Sequence, residues 1–147
     1  RVGLTLTRGQ SIFLDTAPLI YLFEEHDEFL PAVQQVLDEA HSNGADLVTS
    51  MVTYIEILTA PLRSGATALA SRYREYLTNS EGLSIYPLNV SVGDEAARLR
   101  AEHGLRTPDA IQIATATTCG ADFFLTNDRQ LSRVPGIDVV LVADLAA

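Results

Sequence analysis

The chain has 147 residues, 47% of them hydrophobic and 20% charged, which suits one globular domain over residues 1–147 and excludes a disordered or fibrous chain. Ten basic residues stand against nineteen acidic ones for a net charge of −9, and every basic residue is arginine. The absence of lysine excludes P-loop, Schiff-base and lysine-assisted aspartyl-phosphate chemistry, and the acidity argues against broad adhesion to nucleic acid. The single cysteine, Cys119, excludes an internal disulfide and any multi-cysteine metal site, and reads as a small buried hydrophobe. No run reaches the ~18 apolar residues of a membrane span. Residues 1–8 alternate polar with apolar and lack the apolar centre of a signal peptide, so a cytoplasmic chain with no membrane association is expected.

In chain order, Ser11-Ile12-Phe13-Leu14 predicts a buried strand, and Thr16-Ala17-Pro18 opens a helix to about Glu24 with Thr16 as its cap. A second helix is expected over residues 27–42, with an acidic start that suits the helix dipole and Asn43-Gly44 as its stop. Residues 46–49 predict a strand, and Ser50 caps an apolar helix through Leu62. Further helices are expected over 66–77, 91–103 and 107–119, with strands at 83–86, 123–125 and 137–142 and a short helix at 128–134. Strands alternating with helices predict a three-layer α/β/α fold, a mainly parallel twisted sheet with helices on both faces. In such folds sites form beyond the carboxyl ends of the strands.

Four acids stand out in that light. Asp15 follows the first strand, Asp109 lies in the first turn of the Thr107-Pro108 helix, and Asp128 follows the 123–125 strand across Thr126-Asn127. Each of these alone reads as a helix cap, which contributes about 0.5–2 kcal/mol. Glu56 differs, because Val52, Ile55, Ile57 and Leu58 leave its helix almost no polar face. A lone carboxylate on a buried helix costs several kcal/mol unless paired, hydrated or metal-bound. Its other readings are a narrow polar stripe shared with Thr53 and a buried pair with arginine. Brought to one end of a sheet, the four acids repel one another and raise each other's pKa, which a divalent cation relieves. An all-oxygen donor set suits Mg²⁺ or Mn²⁺, whereas His26, His41 and His103 lack the spacing of a zinc site.

Four segments, in order, carry a resemblance to a known family. Ile12-Phe13-Leu14-Asp15-Thr16-Ala17-Pro18-Leu19-Ile20 resembles the opening motif of the PIN-domain ribonucleases, particularly the VapC-type toxins of toxin–antitoxin pairs. Thr49-Ser50-Met51-Val52-Thr53-Tyr54-Ile55-Glu56-Ile57-Leu58 is similar to the helix of the second acid. Leu105-Arg106-Thr107-Pro108-Asp109-Ala110-Ile111-Gln112-Ile113-Ala114-Thr115-Ala116 resembles the third motif, and Phe124-Leu125-Thr126-Asn127-Asp128-Arg129-Gln130-Leu131 the fourth. The likeness spans residues 11–142.

The resemblance implies a compact α/β/α fold and Mg²⁺- or Mn²⁺-dependent hydrolysis of RNA phosphodiester bonds. Asp15, Glu56, Asp109 and Asp128 would be the catalytic, metal-binding acids. Asp15 and Asp109 are the firmest ligands, Glu56 binds metal or orients a water, and Asp128 serves a second metal or an outer-shell water. Thr126 and Asn127 would position phosphate or water. Arg106 and Arg129 are candidates to hold a flanking phosphate, against the commoner role of a surface arginine paired with a nearby acid. The resemblance also implies a small antitoxin partner whose tail presents an arginine to the acids, and a homodimer as one possible assembly. The alternative reading is a catalytically inactive PIN-like scaffold that binds protein or RNA. Dehalogenase-like phosphatases and receiver domains also cluster acids, but both need a lysine. Tyr54, Tyr73 and Tyr76 read as packing residues rather than base-stacking platforms.

Overall fold

The computed structural model describes residues 3–147; Arg1 and Val2, the start of the alternating N-terminal stretch, lie outside the described residues. Five strands form one sheet: β1 (Ser11–Leu14), β2 (Asp46–Ser50), β3 (Leu83–Tyr86), β4 (Phe123–Thr126) and β5 (Asp138–Leu141). They pair in the order β3-β2-β1-β4-β5, and every pair is parallel. Parallel neighbours need crossover connections, supplied here by α1 (Thr16–Phe23), α2 (Leu30–Asn43), α3 (Met51–Arg63), α4 (Thr67–Asn79), α5 (Val90–His103) and α6 (Thr107–Thr118). A last helix, α7 (Val142–Ala146), follows β5. No described helix is long and apolar enough to cross a membrane.

The side-chain alternation of β1 divides the core in two. Ile12 and Leu14 face one layer with Leu19, Val33, Val36 and Leu37 of α1 and α2, Ile57 of α3 and Leu77 of α4. Phe13 faces the other layer with Val92, Ala96 and Leu99 of α5 and Ala110, Ile113 and Ala114 of α6. Phe13 pairs in register with Phe124, and their rings stack with centroids 5.2 Å apart and planes 6° from parallel. The stack clamps β1 to β4 at mid-strand, one residue before the chain reaches Leu14 and Leu125 and then the site.

Local chemistry shifts several expected boundaries. Asp15, not Thr16, caps α1: its carboxylate accepts the Thr16 N–H, so Thr16 is already helical. The second helix starts at Leu30 rather than residue 27, and its first turn carries no acid. The Nδ1 of His26 accepts the N–H groups of Glu28 and Phe29 at 3.2 and 3.1 Å, which holds 27–29 in a turn. That turn is entered through Glu25 at φ 51°, a left-handed conformation uncommon outside glycine. The expected short helix at 128–134 is a 3₁₀ turn, Arg129–Arg133, capped by Asp128. The last strand stops at Leu141, where α7 takes over, because the Asn127 side-chain oxygen accepts the Ala143 N–H at 3.0 Å and anchors a helical turn. At the other end Leu6 is wholly buried; its N–H donates to Glu39 and its carbonyl accepts from Asn43, which fixes the segment before β1 against α2.

Truncating Phe124 to alanine removes half of the central stack from a fully buried position. It is expected to cost about 3–5 kcal/mol of unfolding free energy, read as a lowered midpoint in urea denaturation followed by circular dichroism.

Candidate metal-binding active site

In a sheet ordered 3-2-1-4-5 the chain reverses its direction of winding between β1 and β4, and a crevice opens beyond their carboxyl ends. Asp15 is the first residue past β1 and Thr126 the last of β4, and the Asp15 N–H donates to the Leu125 carbonyl at 2.9 Å. The topology therefore sets the Asp15 carboxylate and the Thr126 hydroxyl side by side. Thr126 is wholly buried, and its hydroxyl donates to Asp15 Oδ2 at 2.7 Å. On the other oxygen, Oδ1, Asp15 accepts from the Thr16 N–H at 2.9 Å and from Gln112 Nε2 at 3.0 Å.

Burial raises the Asp15 pKa above the usual 3.8, against three hydrogen bonds that favour the anion; the charge of Asp109 adds a smaller upward push. That charge reaches Asp15 from the first turn of α6. There Asp109 suits the helix dipole, and its Oδ2 accepts from Arg106 Nε at 3.2 Å. Arg106 is 80% exposed, so this pair contributes little to stability.

Glu56 reaches the site from α3, although not by the route its sequence context suggests. It is exposed, as is its neighbour Ile55 at 60%, so the apolar run 51–58 does not bury it. Its Oε1 accepts from the Thr16 hydroxyl at 2.6 Å, which ties it to the residue beside Asp15. Asp128 lies farther along: its N–H donates to Thr126 Oγ1 at 3.1 Å, and its carboxylate accepts the Gln130 N–H as the cap of the 3₁₀ turn.

Asn127 does not present its amide to the crevice. Its Nδ2 donates to the Tyr21 hydroxyl at 3.1 Å and its Oδ1 binds α7, so it ties α1 to the C-terminal helix. Arg129 pairs with Asp144 of α7 at 3.5 Å. Tyr54 accepts from Arg74, and Tyr73 and Tyr76 pack on Phe23, as side chains of the fold. Half-buried Cys119 closes the helix α6, its thiol pushed up in pKa by burial.

No three of the described His, Cys, Asp and Glu side chains are gathered into a ready-made metal cage. The donors nevertheless suit a hard cation. An ionised carboxylate offers about four lone pairs, and Asp15 uses three of them, which leaves one on Oδ2. Asp109, whose charge acts on Asp15, would supply a second anionic oxygen, and an oxygen-only donor set suits Mg²⁺ or Mn²⁺ better than zinc. Sequence reasoning passed over Gln112, and gave Ser50 and Thr53 no link to it, although the three are hydrogen-bonded beside Asp15. The available signal was a lone amide in the apolar run Ala110-Ile111-Gln112-Ile113-Ala114, one helical turn after Asp109 and so on the same face.

The chain matches the PIN domain family over residues 12–137 and belongs to it. Its fold is shared with a toxin–antitoxin complex from Klebsiella pneumoniae at TM-score 0.70 and 23% identity, over 89% of this chain and 97% of that one. It is shared with VapBC2 of Rickettsia felis, bound there to a DNA fragment of its promoter, at TM-score 0.75 and 16% identity, over 90% and 98% of the two chains. A third neighbour is VapC20 of Mycobacterium tuberculosis, a toxin that cleaves the sarcin–ricin loop, at TM-score 0.69 and 18% identity, over 87% and 98%. No curated protein matches the chain in sequence.

The desolvation of Asp15 has a measurable sign. Because its folded pKa lies above 3.8, the folded state holds this proton more tightly than the unfolded chain does. Its contribution to stability is complete below about pH 3.8 and is lost as pH rises through the folded pKa, so the ionised group opposes folding at neutral pH. Asp15→Asn keeps an oxygen for Thr16 and Gln112 and an amide for Thr126 Oγ1. In EDTA at pH 7 this variant is expected to melt a few degrees above the wild type by differential scanning fluorimetry, the gap closing as pH falls towards 4.

Proposed function

We propose that this PIN-domain chain is a metal-dependent endoribonuclease and the toxin of a toxin–antitoxin pair. One observation carries the reading: a partly buried carboxylate at the topological switch point, oriented by three donors, with a lone pair left and the charge of a second acid acting on it. Desolvating an anion with a like charge opposite opposes folding unless a cation completes the site. Asp15 and Asp109 would hold Mg²⁺ or Mn²⁺, which supplies an activated water and neutralises charge developing on the scissile phosphate. Glu56, anchored by Thr16 and exposed to solvent, orients the attacking water. Arg106, extended from the start of α6, is the nearest guanidinium to Asp109 and the candidate to hold a flanking phosphate. Asp128, set by its cap on the 3₁₀ turn, serves the outer shell or a second metal. Asn127 and Arg129 act through the fold, one tying α1 to α7 and the other pairing with it.

Two features beside the acids support an antitoxin partner. An apolar groove of about 400 Å³ runs between α1, α3 and α4, walled by Ile20, Phe23, Ile57, Pro61, Leu69 and Tyr73 and rimmed by Glu24 and Glu56. An amphipathic helix with a basic residue at one end fits it, the apolar face in the groove and the cation among the acids. The solved proteins that share this fold include toxin–antitoxin and VapBC complexes. RNA as substrate and the cytoplasm as compartment belong to the same proposal.

Purified chain incubated with a mixed RNA pool is expected to cleave it in Mg²⁺ or Mn²⁺ and not in EDTA, with Asp109→Asn reduced to the level of buffer alone. Uncleaved RNA together with no heat of metal binding in calorimetry would leave a binding scaffold. Exposed Ala60 lines the groove one helical turn from Glu56, so Ala60→Arg is expected to weaken association with the product of a neighbouring antitoxin reading frame at least tenfold, read by calorimetry.

A further inference from the structure

The buried polar residues behind the acids form one connected system with a single direction. Gln112 is 2% exposed, an amide in the middle of the apolar face of α6. Its Oε1 accepts from the Ser50 hydroxyl, while its Nε2 donates both to Asp15 Oδ1 at 3.0 Å and to Thr53 Oγ1 at 2.8 Å. Both amide hydrogens are thus committed. Thr53 Oγ1 lies 3.0 Å from Thr16 Oγ1, and the Thr16 hydroxyl donates to Glu56 Oε1 at 2.6 Å.

The hydrogens can be placed by elimination. Thr16 spends its only hydrogen on Glu56, so the hydroxyl between the two threonines comes from Thr53. Thr53 in turn accepts from Gln112, and Gln112 accepts from Ser50. Every donor in the series therefore points forward: Ser50 to Gln112, Gln112 to Thr53 and Asp15, Thr53 to Thr16, Thr16 to Glu56. Turning the amide over would set a carbonyl oxygen 3.0 Å from the Asp15 carboxylate. Ser50 fixes it the right way round, and Ser50 is itself fixed as the cap of α3, accepting the Thr53 N–H at 3.3 Å. No buried side-chain oxygen or nitrogen among the described residues lacks a partner, so the system is fully satisfied.

We propose that Gln112 is a positioning residue which, through Thr53 and Thr16, orients the Asp15 and Glu56 carboxylates together and so sets the affinity of the site for its divalent cation. The proposal rests on the nuclease reading and extends it from the acids to the helix that carries them. A leucine would fill the volume of Gln112 but leave the buried Ser50 hydroxyl without its acceptor and Asp15 and Thr53 without this donor, so the amide is tied to its polar neighbours. What the amide supplies is a donor that reaches two acids on different elements, one directly and one through two hydroxyls. Partners of this kind, one step removed from a metal, are worth about 10–100-fold in affinity.

The test is Mn²⁺ binding by calorimetry on the full chain, with unfolding midpoints in EDTA as the control for structure. Gln112→Leu and Thr53→Val are each expected to weaken Mn²⁺ binding about tenfold or more, while Thr53→Ser, which keeps the hydroxyl, restores wild-type binding. The double variant Gln112→Leu with Thr53→Val is expected to bind no more weakly than the worse single one, since both cut the same series. Variants that bind Mn²⁺ as the wild type does overturn the proposal and leave the nuclease reading standing. A wild-type chain that binds no Mn²⁺ overturns both. If Gln112→Leu fails to fold, the Thr53→Val and Thr53→Ser pair decides alone. In cleavage assays the same variants are expected to require more Mn²⁺ for half-maximal rate while keeping KM for RNA, which a general loosening of the fold would not produce.

Discussion

Asp15 sets a carboxylate where two parallel strands end side by side, and the burial of that charge dictates the chemistry of its neighbours. The carboxylate is only partly exposed, and protein donors serve its oxygens from three directions: the backbone of α1, the hydroxyl ending β4 and the amide of α6. Each donor needs orienting in its turn. Thr126 also accepts the Asp128 N–H, and Gln112 is held by Ser50. A single partly buried anion thus fixes the ends of β1 and β4, the start of α3 and the middle of α6 in one arrangement.

That arrangement is only as precise as the strands beneath it. Phe13 and Phe124, stacked one residue short of the strand ends, hold β1 and β4 in the register that brings Asp15 against Thr126. A slip of one strand by one residue would turn its ring to the opposite layer and carry the carboxylate out of reach of the hydroxyl. The core and the site are therefore specified by the same pairing. The elements farther out are joined by softer links: Asn127 bridges Tyr21 of α1 and the backbone of α7, and Arg129 reaches α7 through an exposed ion pair.

Where the apolar period was strong, the sequence was readable. The five strands were legible from their runs of Ile, Val, Leu and Phe, and Ser50, Gly44 and Gly104 mark helix ends where capping chemistry places them. Boundaries failed where a side chain outside the period took over the backbone: His26 replaced the expected acidic start of α2, and Asn127 turned the last strand into α7. Among the acids, position after a strand placed Asp15 at the crevice, because the topology alone brings that residue there. The burial argument for Glu56 did not hold, since an apolar run on a helix with an exposed side leaves Ile55 and Glu56 in solvent. Gln112 escaped notice because an amide carries no charge to draw attention, although it is the buried polar residue that the helix pattern least explains.

An acidic, lysine-free chain is an unusual partner for a polyanion, and the structure bears on how it could serve as one. With a net charge of −9, the surface as a whole repels RNA at long range, so attraction must be confined to within about a Debye length, roughly 8 Å at physiological salt, of a local positive centre. Arg106 supplies one such centre, exposed at the start of α6, but it is compensated by Asp109. A divalent ion between Asp15 and Asp109 would change that balance, since it engages Asp109 and frees the guanidinium beside it for a phosphate. On the nuclease reading, cation binding and substrate binding are then favourably coupled through Asp109. The basic tail of an antitoxin would act on the same residues, because an arginine among these acids offers them the positive charge that the cation otherwise brings. On that reading the net negative charge would be part of the control: without metal the crevice would favour a basic peptide, and with metal it would hold a phosphate.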